Sequence, residues 1–296
     1  MSQGSTAKQT RPFSLWLYLL IVCGLSWPFQ LASVTWGKDL LSVYVLNATS
    51  MVMVTVGTFL CGRFIFRDGF AGAGWRWGRP WHYVTVIGFA VFLWIVPTCI
   101  DLVLGEVHLP THVTSGQIAW VGVLLFVTLL PAFGEEFGWR GYLLPHLVQQ
   151  MSPRKAIFVH AVVWWAWHQP LVLGQSLVPV LASAKQTGQP IGRTIALVLG
   201  MLLLLGFVGG VLHGVIFAYI WMRGRSLVVS SVYRAAYDGL RDSVALTIGL
   251  GPLTSGWPAL IIVLLGAVLL WRGNWRMLLT TTTPTTSSPE ALVAEV

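Results

Sequence analysis

Two adjacent carboxylates open the segment "GEEFGWRGYLLP", residues 134 to 145, in a chain where only 9 % of residues are charged. Glu136 and Arg140 stand four apart, the spacing that puts both on one helix face as an ion pair, while Glu135 points about 100° away and is free to face a cavity. One carboxylate can therefore brace the structure while the other does chemistry; the bland alternative is that both pair with Arg140. A second group is "HAVVWWAWHQP", in which His160, Trp164 and His168 recur every fourth residue on one face, with Pro170 marking the end of the helix. The third is "SLVVSSVYRAAYDGLRDS", where Arg234 and Asp238 share a face and Asp242 follows one turn later. A carboxylate, an imidazole and a second carboxylate in a dry site can activate water, by general-base catalysis or through a metal.

The elements that must position these groups are apolar. The chain is 55 % hydrophobic with a mean hydropathy of +0.74. Apolar stretches of about 20 residues are membrane-spanning helices, and eight are expected, over 13–35, 42–62, 82–104, 117–144, 155–174, 195–221, 226–249 and 256–271. The fold class is thus all-α, a polytopic bundle of about eight transmembrane helices. Residues 1–12 precede it as a cytoplasmic segment, the bundle occupies 13–277, and the low-complexity 278–296 is expected to be a disordered tail. The first apolar run is too long for a secretory signal and reads as an uncleaved anchor.

Of the eighteen Lys and Arg, twelve fall in one set of loops, three in the other (Lys38, Lys185, Arg193) and three inside helices (Arg140, Arg234, Arg241). The positive-inside rule then puts both termini in the cytoplasm of a multi-pass protein, expected in the cell membrane. The net charge of +8 follows from topology and the lipid bilayer as partner, and calls for no nucleic acid. Depth brings the polar groups together: His168 lies 13 residues past Lys155 and Asp238 13 past Arg225, about 20 Å in, with Glu135 about 18 Å from the same face. A charge at that depth costs roughly 2.5–3.5 kcal/mol on insertion scales, so buried Glu, His and Asp are functional candidates.

These motifs resemble those of the CPBP family, the CAAX proteases and bacteriocin-processing enzymes also called Abi, which are intramembrane metalloproteases. "EEFGWRGYLLP" is similar to the family's EExxxR signature. "WWAWHQP" is similar to its aromatic-xxx-His motif, with Trp164 where Phe is usual, and "RGRSLVVSSVYRAAYD" to its third, a His followed four later by Asn or Asp. The resemblance covers a core of about 117–250. It implies an intramembrane endopeptidase cleaving a membrane-associated protein or peptide, with Glu135 activating the attacking water and Glu136 and Arg140 as its motif partners. His168 takes the position of the second motif's imidazole and Asp238 the Asn or Asp position. The departure is Arg234, in place of the family's second His, since a guanidinium neither ligates a metal nor acts as a base.

Arg234 divides the expectations. It can polarise a substrate carbonyl and steady an oxyanion, or it can pair with Glu135 and quench the base. In the second case the chain is a non-catalytic relative, a membrane scaffold or self-immunity protein. Asp238 is the expected partner of Arg234, which would leave Glu135 free. Glu135, His168 and Asp238 could hold a divalent metal such as zinc, with His213 on the sixth helix, beside Gly210 and Gly214, as a further ligand. A proton-coupled transporter would also use buried Glu, His, Arg and Asp, and would show internal repeat symmetry; none is visible.

Overall fold

The computed structural model describes residues 11–112, 114–188 and 190–281. The expected segment 1–12 and tail 278–296 fall mostly outside them. Every regular element among the described residues is helical, as expected of an all-α membrane bundle.

Local signals set the ends. Helix α1 (Leu15–Trp36) is capped by Ser14, and α2 (Leu40–Leu60) by Asp39, whose Oδ1 accepts from Ser42 N at 2.9 Å while Ser42 Oγ accepts from Asp39 N at 3.3 Å. Helix α3 (Pro80–Val103) starts on its proline. The expected fourth span is a run of shorter pieces: α4 (Ser115–Val127), α5 (Leu129–Glu136), a π-helical segment Phe137–Leu143, and α6 (Leu144–Gln150). Then follow α7 (Pro153–Trp167), α8 (Gln169–Thr187), α9 (Ile191–Met201), α10 (Phe207–Gly224), α11 (Leu227–Thr247) and α12 (Pro252–Arg272).

Among the described residues five helical runs are long and apolar enough to cross a membrane: Leu15–Trp36, Leu40–Ile65, Pro80–Val103, Ile191–Gly224 and Pro252–Arg272. A sixth arises if α7 and α8, bent by 43° at His168, count as one broken span. Two of the eight expected spans fall short for physical reasons. Helix α11 carries Arg234, Asp238, Arg241 and Asp242 on 21 residues, and the 115–150 run is interrupted before it reaches spanning length. Both pack into the bundle in part: α11 lies on α3, α5 and α4, and α5 on α2, while Phe126 and Leu130 of the 115–150 run face outward. The outer helices turn large apolar side chains such as Leu20, Phe92, Leu204 and Leu264 outward, the surface that lipid covers.

Polar ties join the bundle where apolar packing alone would leave register open. Tyr18 Oη donates to the Gly138 carbonyl at 2.9 Å and lies 3.0 Å from Thr58 Oγ1, clasping α1, α2 and the π segment. The fully buried Asp101 of α3 caps α12 from outside, accepting from Leu253 N at 3.1 Å and from Thr254 N and Oγ1 at 2.7 Å each. Helices α7 and α10 approach closely, as the Gly210/Gly214 pair implies: a Cβ on Gly214 would lie 2.9 Å from Ala161 Cβ.

Candidate functional site

Three backbone segments deliver the site. Glu135 and Glu136 occupy the last turn of α5, just before the chain widens into the π segment that carries Arg140, and all three are fully buried. Such single-turn widenings occur disproportionately at functional positions. Glu136 takes the expected role: its Oε1 accepts from Arg140 Nη1 at 2.8 Å. The rest of the Arg140 guanidinium has no hydrogen-bond partner among the described residues and lies over aromatic faces, 4.4 Å from the Phe217 centroid and 4.9 Å from that of Trp164.

His168 sits at the α7–α8 bend. Its Nδ1 is 2.9 Å from the Trp164 carbonyl, so Nδ1 carries the proton and donates, and the lone pair of Nε2 points away from α7. That lone pair meets Arg234 Nη2 at 3.4 Å. Arg234 is the hub: its Nη2 is 3.1 Å from Glu135 Oε2, and its Nε is 2.6 Å from Asp238 Oδ2, both ion pairs lying off the N–H axis. Asp238 Oδ1 faces Arg241 Nη1 at 2.8 Å, Arg241 Nε donates to Asp242 at 2.7 Å, and Tyr44 Oη closes the chain on Asp242 at 2.6 Å.

Glu135, His168 and Asp238 thus converge, but around a guanidinium rather than around open space. Glu135 does not keep the freedom expected of it. Beyond Arg234, its Oε1 accepts from the Trp164 indole at 2.6 Å and lies 4.0 Å from Arg140 Nη1. Asp238 is a partner of Arg234 as its spacing implies, yet Asp238 also has Arg241, so Arg234 spans both carboxylates. His213 stays apart: its Nε2 meets Tyr233 Oη at 3.1 Å and its ring packs 4.5 Å from Tyr237. It supplies no imidazole where the second His is missing.

The spacing of the charged groups leaves three contacts to them unread. The Trp164 indole N–H is invisible to a pattern that asks only for an aromatic residue. Phe217 lies on another helix with no periodic mark. Arg241 had a signal, since it follows Asp238 by three and so shares its face.

The donor set bears on metal use. Among the described residues no three His, Cys, Asp or Glu side chains form a metal-holding group. A cation at the centre of Glu135, His168 and Asp238 would meet the Arg234 guanidinium at 2.6–3.4 Å from all three, and like charges repel strongly in a desolvated site. The residues as arranged do not fit a divalent ion. What they can do is hold a polarised small group. A cavity of about 160 Å³ reaches His168 between Trp164, Trp165, Gln169 and the Leu202–Gly210 stretch, room for a few waters or one side chain.

Residues 117–240 match the family model described as type II CAAX prenyl endopeptidase Rce1-like. A CAAX prenyl protease 2 from Methanococcus maripaludis is 43 % identical over 49 residues, 17 % of this chain and 18 % of that protein. The chain therefore matches less than a fifth of that relative's length, and the match is short beside the whole bundle. The stretch from 117 to 240, which holds Glu135, Glu136, Arg140, His168, Arg234 and Asp238, is thus similar to the type II CAAX prenyl endopeptidase Rce1-like family.

Proposed function

We propose that the chain is an intramembrane endopeptidase that hydrolyses a peptide bond in a membrane-associated protein or peptide, working without a metal. One observation carries the reading: a carboxylate, an imidazole whose Nε2 lone pair faces the guanidinium, and that guanidinium meet within hydrogen-bonding reach beside a cavity. In the proposed step, a water bound at Glu135 gives it a proton as its oxygen bonds to the substrate carbonyl carbon. Arg234 stabilises the oxygen that gains charge. The C–N bond then breaks, and the proton held by Glu135 passes to the leaving amine. His168 Nε2 orients the water, and Trp164 and Arg140 hold Glu135 in place. The name of the archaeal relative supports prenylated CAAX proteins as a substrate class. The twelve-to-three distribution of loop Lys and Arg, counted with α11 and the 115–150 run as crossings, supports a cytoplasmic setting for the Arg-rich face and both termini, in the cell membrane.

A second reading rests on a specific contact. Arg234 lies 3.1 Å from Glu135 Oε2, so the carboxylate oxygen that a catalytic water would need is already engaged by a guanidinium. On this reading the chain is a non-catalytic relative, acting as a membrane scaffold or self-immunity protein.

The test compares wild type, Glu135→Ala and Arg234→His on a panel of membrane peptides in liposomes. Cleavage by wild type that Glu135→Ala abolishes supports the protease. An inactive wild type that gains cleavage on Arg234→His establishes the second reading.

A further inference from the structure

A second cleft lies away from this site. It measures about 640 Å³ and is lined by Arg76, Trp77, Arg79, His82, Arg223 and Arg225, with no carboxylate among its lining residues. The nearest acidic side chain in the same loop, Asp68, is committed to Tyr142 at 2.9 Å and His146 at 2.9 Å. Arg76, Arg79 and Arg223 therefore raise positive potential in a concave space that nothing on the wall neutralises, and low-dielectric walls focus such a field.

The cleft is built, not a chance meeting of loops. Leu227 N donates to the Gly74 carbonyl at 2.9 Å, Trp221 Nε1 to the Ala73 carbonyl at 3.3 Å, and Ser226 Oγ to the Arg76 carbonyl. Gly74 and Gly78 hold positive φ of 86° and 77°, a conformation that glycine adopts at no steric cost. Arg225 adopts φ 47°, ψ 35° at the end of α10 although Gly224 is its neighbour, so a side-chain-bearing residue occupies a left-handed position next to the residue best suited to it. Its side chain is anchored to the Met277 carbonyl and lines the wall. His82 Nδ1 accepts from Arg79 N at 3.4 Å, which leaves the proton on Nε2 as a donor. The N-terminus of the 24-residue α3 also opens here and adds its partial positive charge.

Depth indicates where the ligand comes from. Trp75, Trp77 and Trp81 beside the cleft are 56 %, 79 % and 71 % exposed, and tryptophans so placed in a membrane protein sit at head-group level. We propose that this cleft binds a phosphate group, and that the phosphate is the phosphodiester of an anionic membrane lipid whose chains lie beside Trp77 and Trp81. Guanidinium groups suit this ligand because their planar fork matches phosphate oxygens. The inference stands whether or not the buried site is catalytic. Ser226, next to the lining Arg225, caps α11, and Arg234 lies eight residues, about 12 Å, further along that helix.

The test uses the full chain in neutral detergent and follows unfolding while dioleoyl phosphatidylglycerol, dioleoyl phosphatidylcholine or inorganic phosphate is titrated. Phosphatidylglycerol is expected to bind tighter than phosphatidylcholine. Arg79→Gln/Arg223→Gln should weaken it about thirtyfold, roughly fivefold for each guanidinium near the surface. Arg63→Gln/Arg272→Gln, which removes the same charge from the same face outside the cleft, should change it less than about twofold. If the double variant fails to fold, Arg223→Gln alone carries the test with about a fivefold loss. Inorganic phosphate that stabilises wild type as well as the lipid does, and loses this in the cleft variant, identifies free phosphate as the source. Equal loss in the cleft and control variants, or no preference over phosphatidylcholine, overturns the site.

Discussion

Replacing Arg234 by Met tests the hub directly. The substitution keeps the unbranched stem and removes the charged end, so packing along the stem is conserved while Glu135 and Asp238 lose a shared partner. At 3.1 Å and an effective dielectric near 20, the Arg234–Glu135 attraction is about 5 kcal/mol before desolvation. Removing one partner of a buried pair costs about 3–5 kcal/mol in practice. The lower end is expected here, because Asp238 retains Arg241 at 2.8 Å and Glu135 retains the Trp164 indole at 2.6 Å. Unfolding midpoints in mixed micelles for wild type, Arg234→Met, Glu135→Gln and the double variant measure it. Glu135→Gln alone should cost less, since Arg234 keeps Asp238 and Gln can still accept from Trp164. The double variant should cost less than the two singles together, with a coupling of about 1.5–3 kcal/mol. If the costs add to within about 0.5 kcal/mol, Arg234 and Glu135 do not interact and the geometry argued above is wrong.

Three further outcomes follow from other parts of the molecule. Tyr18→Phe should lower stability by about 1–3 kcal/mol in the same assay, because it strips the Gly138 carbonyl of a buried donor. Gly214→Leu should force α7 and α10 apart at Ala161 and cost about 1–3 kcal/mol or more, with unchanged stability refuting the close approach. Asp39, outside the spans, has its carboxyl held below the usual range by the backbone N–H of Ser42. The start of α2 should therefore be protected above the ordinary carboxylate pKa and fray as pH falls through the depressed value; amide exchange should show this in wild type and not in Asp39→Asn.

What the sequence made legible was mostly local. The Glu136–Arg140 and Arg234–Asp238 pairs follow from a spacing of four, and the convergence of α5, α7 and α11 follows from counting residues inward from basic loops. Pro170 marked the bend at His168, though the apolar run continued through it and concealed the break. The interruptions of the 115–150 run were hidden for the same reason: hydropathy reads composition, while the π segment at Phe137–Leu143 depends on packing against Tyr18 and Thr58. Glu135 was expected to be free because an i to i+4 argument is blind to partners on other helices, and both of its close contacts, from Trp164 and Arg234, come from other helices.

The charge pattern explains why Arg234 changes the chemistry and not merely the packing. The connected network holds four carboxylates, Glu135, Glu136, Asp238 and Asp242, against three guanidiniums, Arg140, Arg234 and Arg241, which leaves one negative charge. With a neutral histidine at 234, as in the motif the segment resembles, the same network would carry two, the charge a divalent cation cancels. Buried charge is tolerated only when paired, so the histidine form calls for a metal or a bound proton, whereas the arginine form supplies most of the compensation itself. Arg234→His should therefore do more than restore a ligand type. It should raise the affinity of the site for a divalent ion, and equilibrium dialysis with zinc against wild type and Arg234→His reads that directly. Tighter zinc retention by the variant is the expected result. Equal retention by both would mean that the guanidinium does not occupy the position between Glu135, His168 and Asp238, and that nothing at this site keeps a metal out.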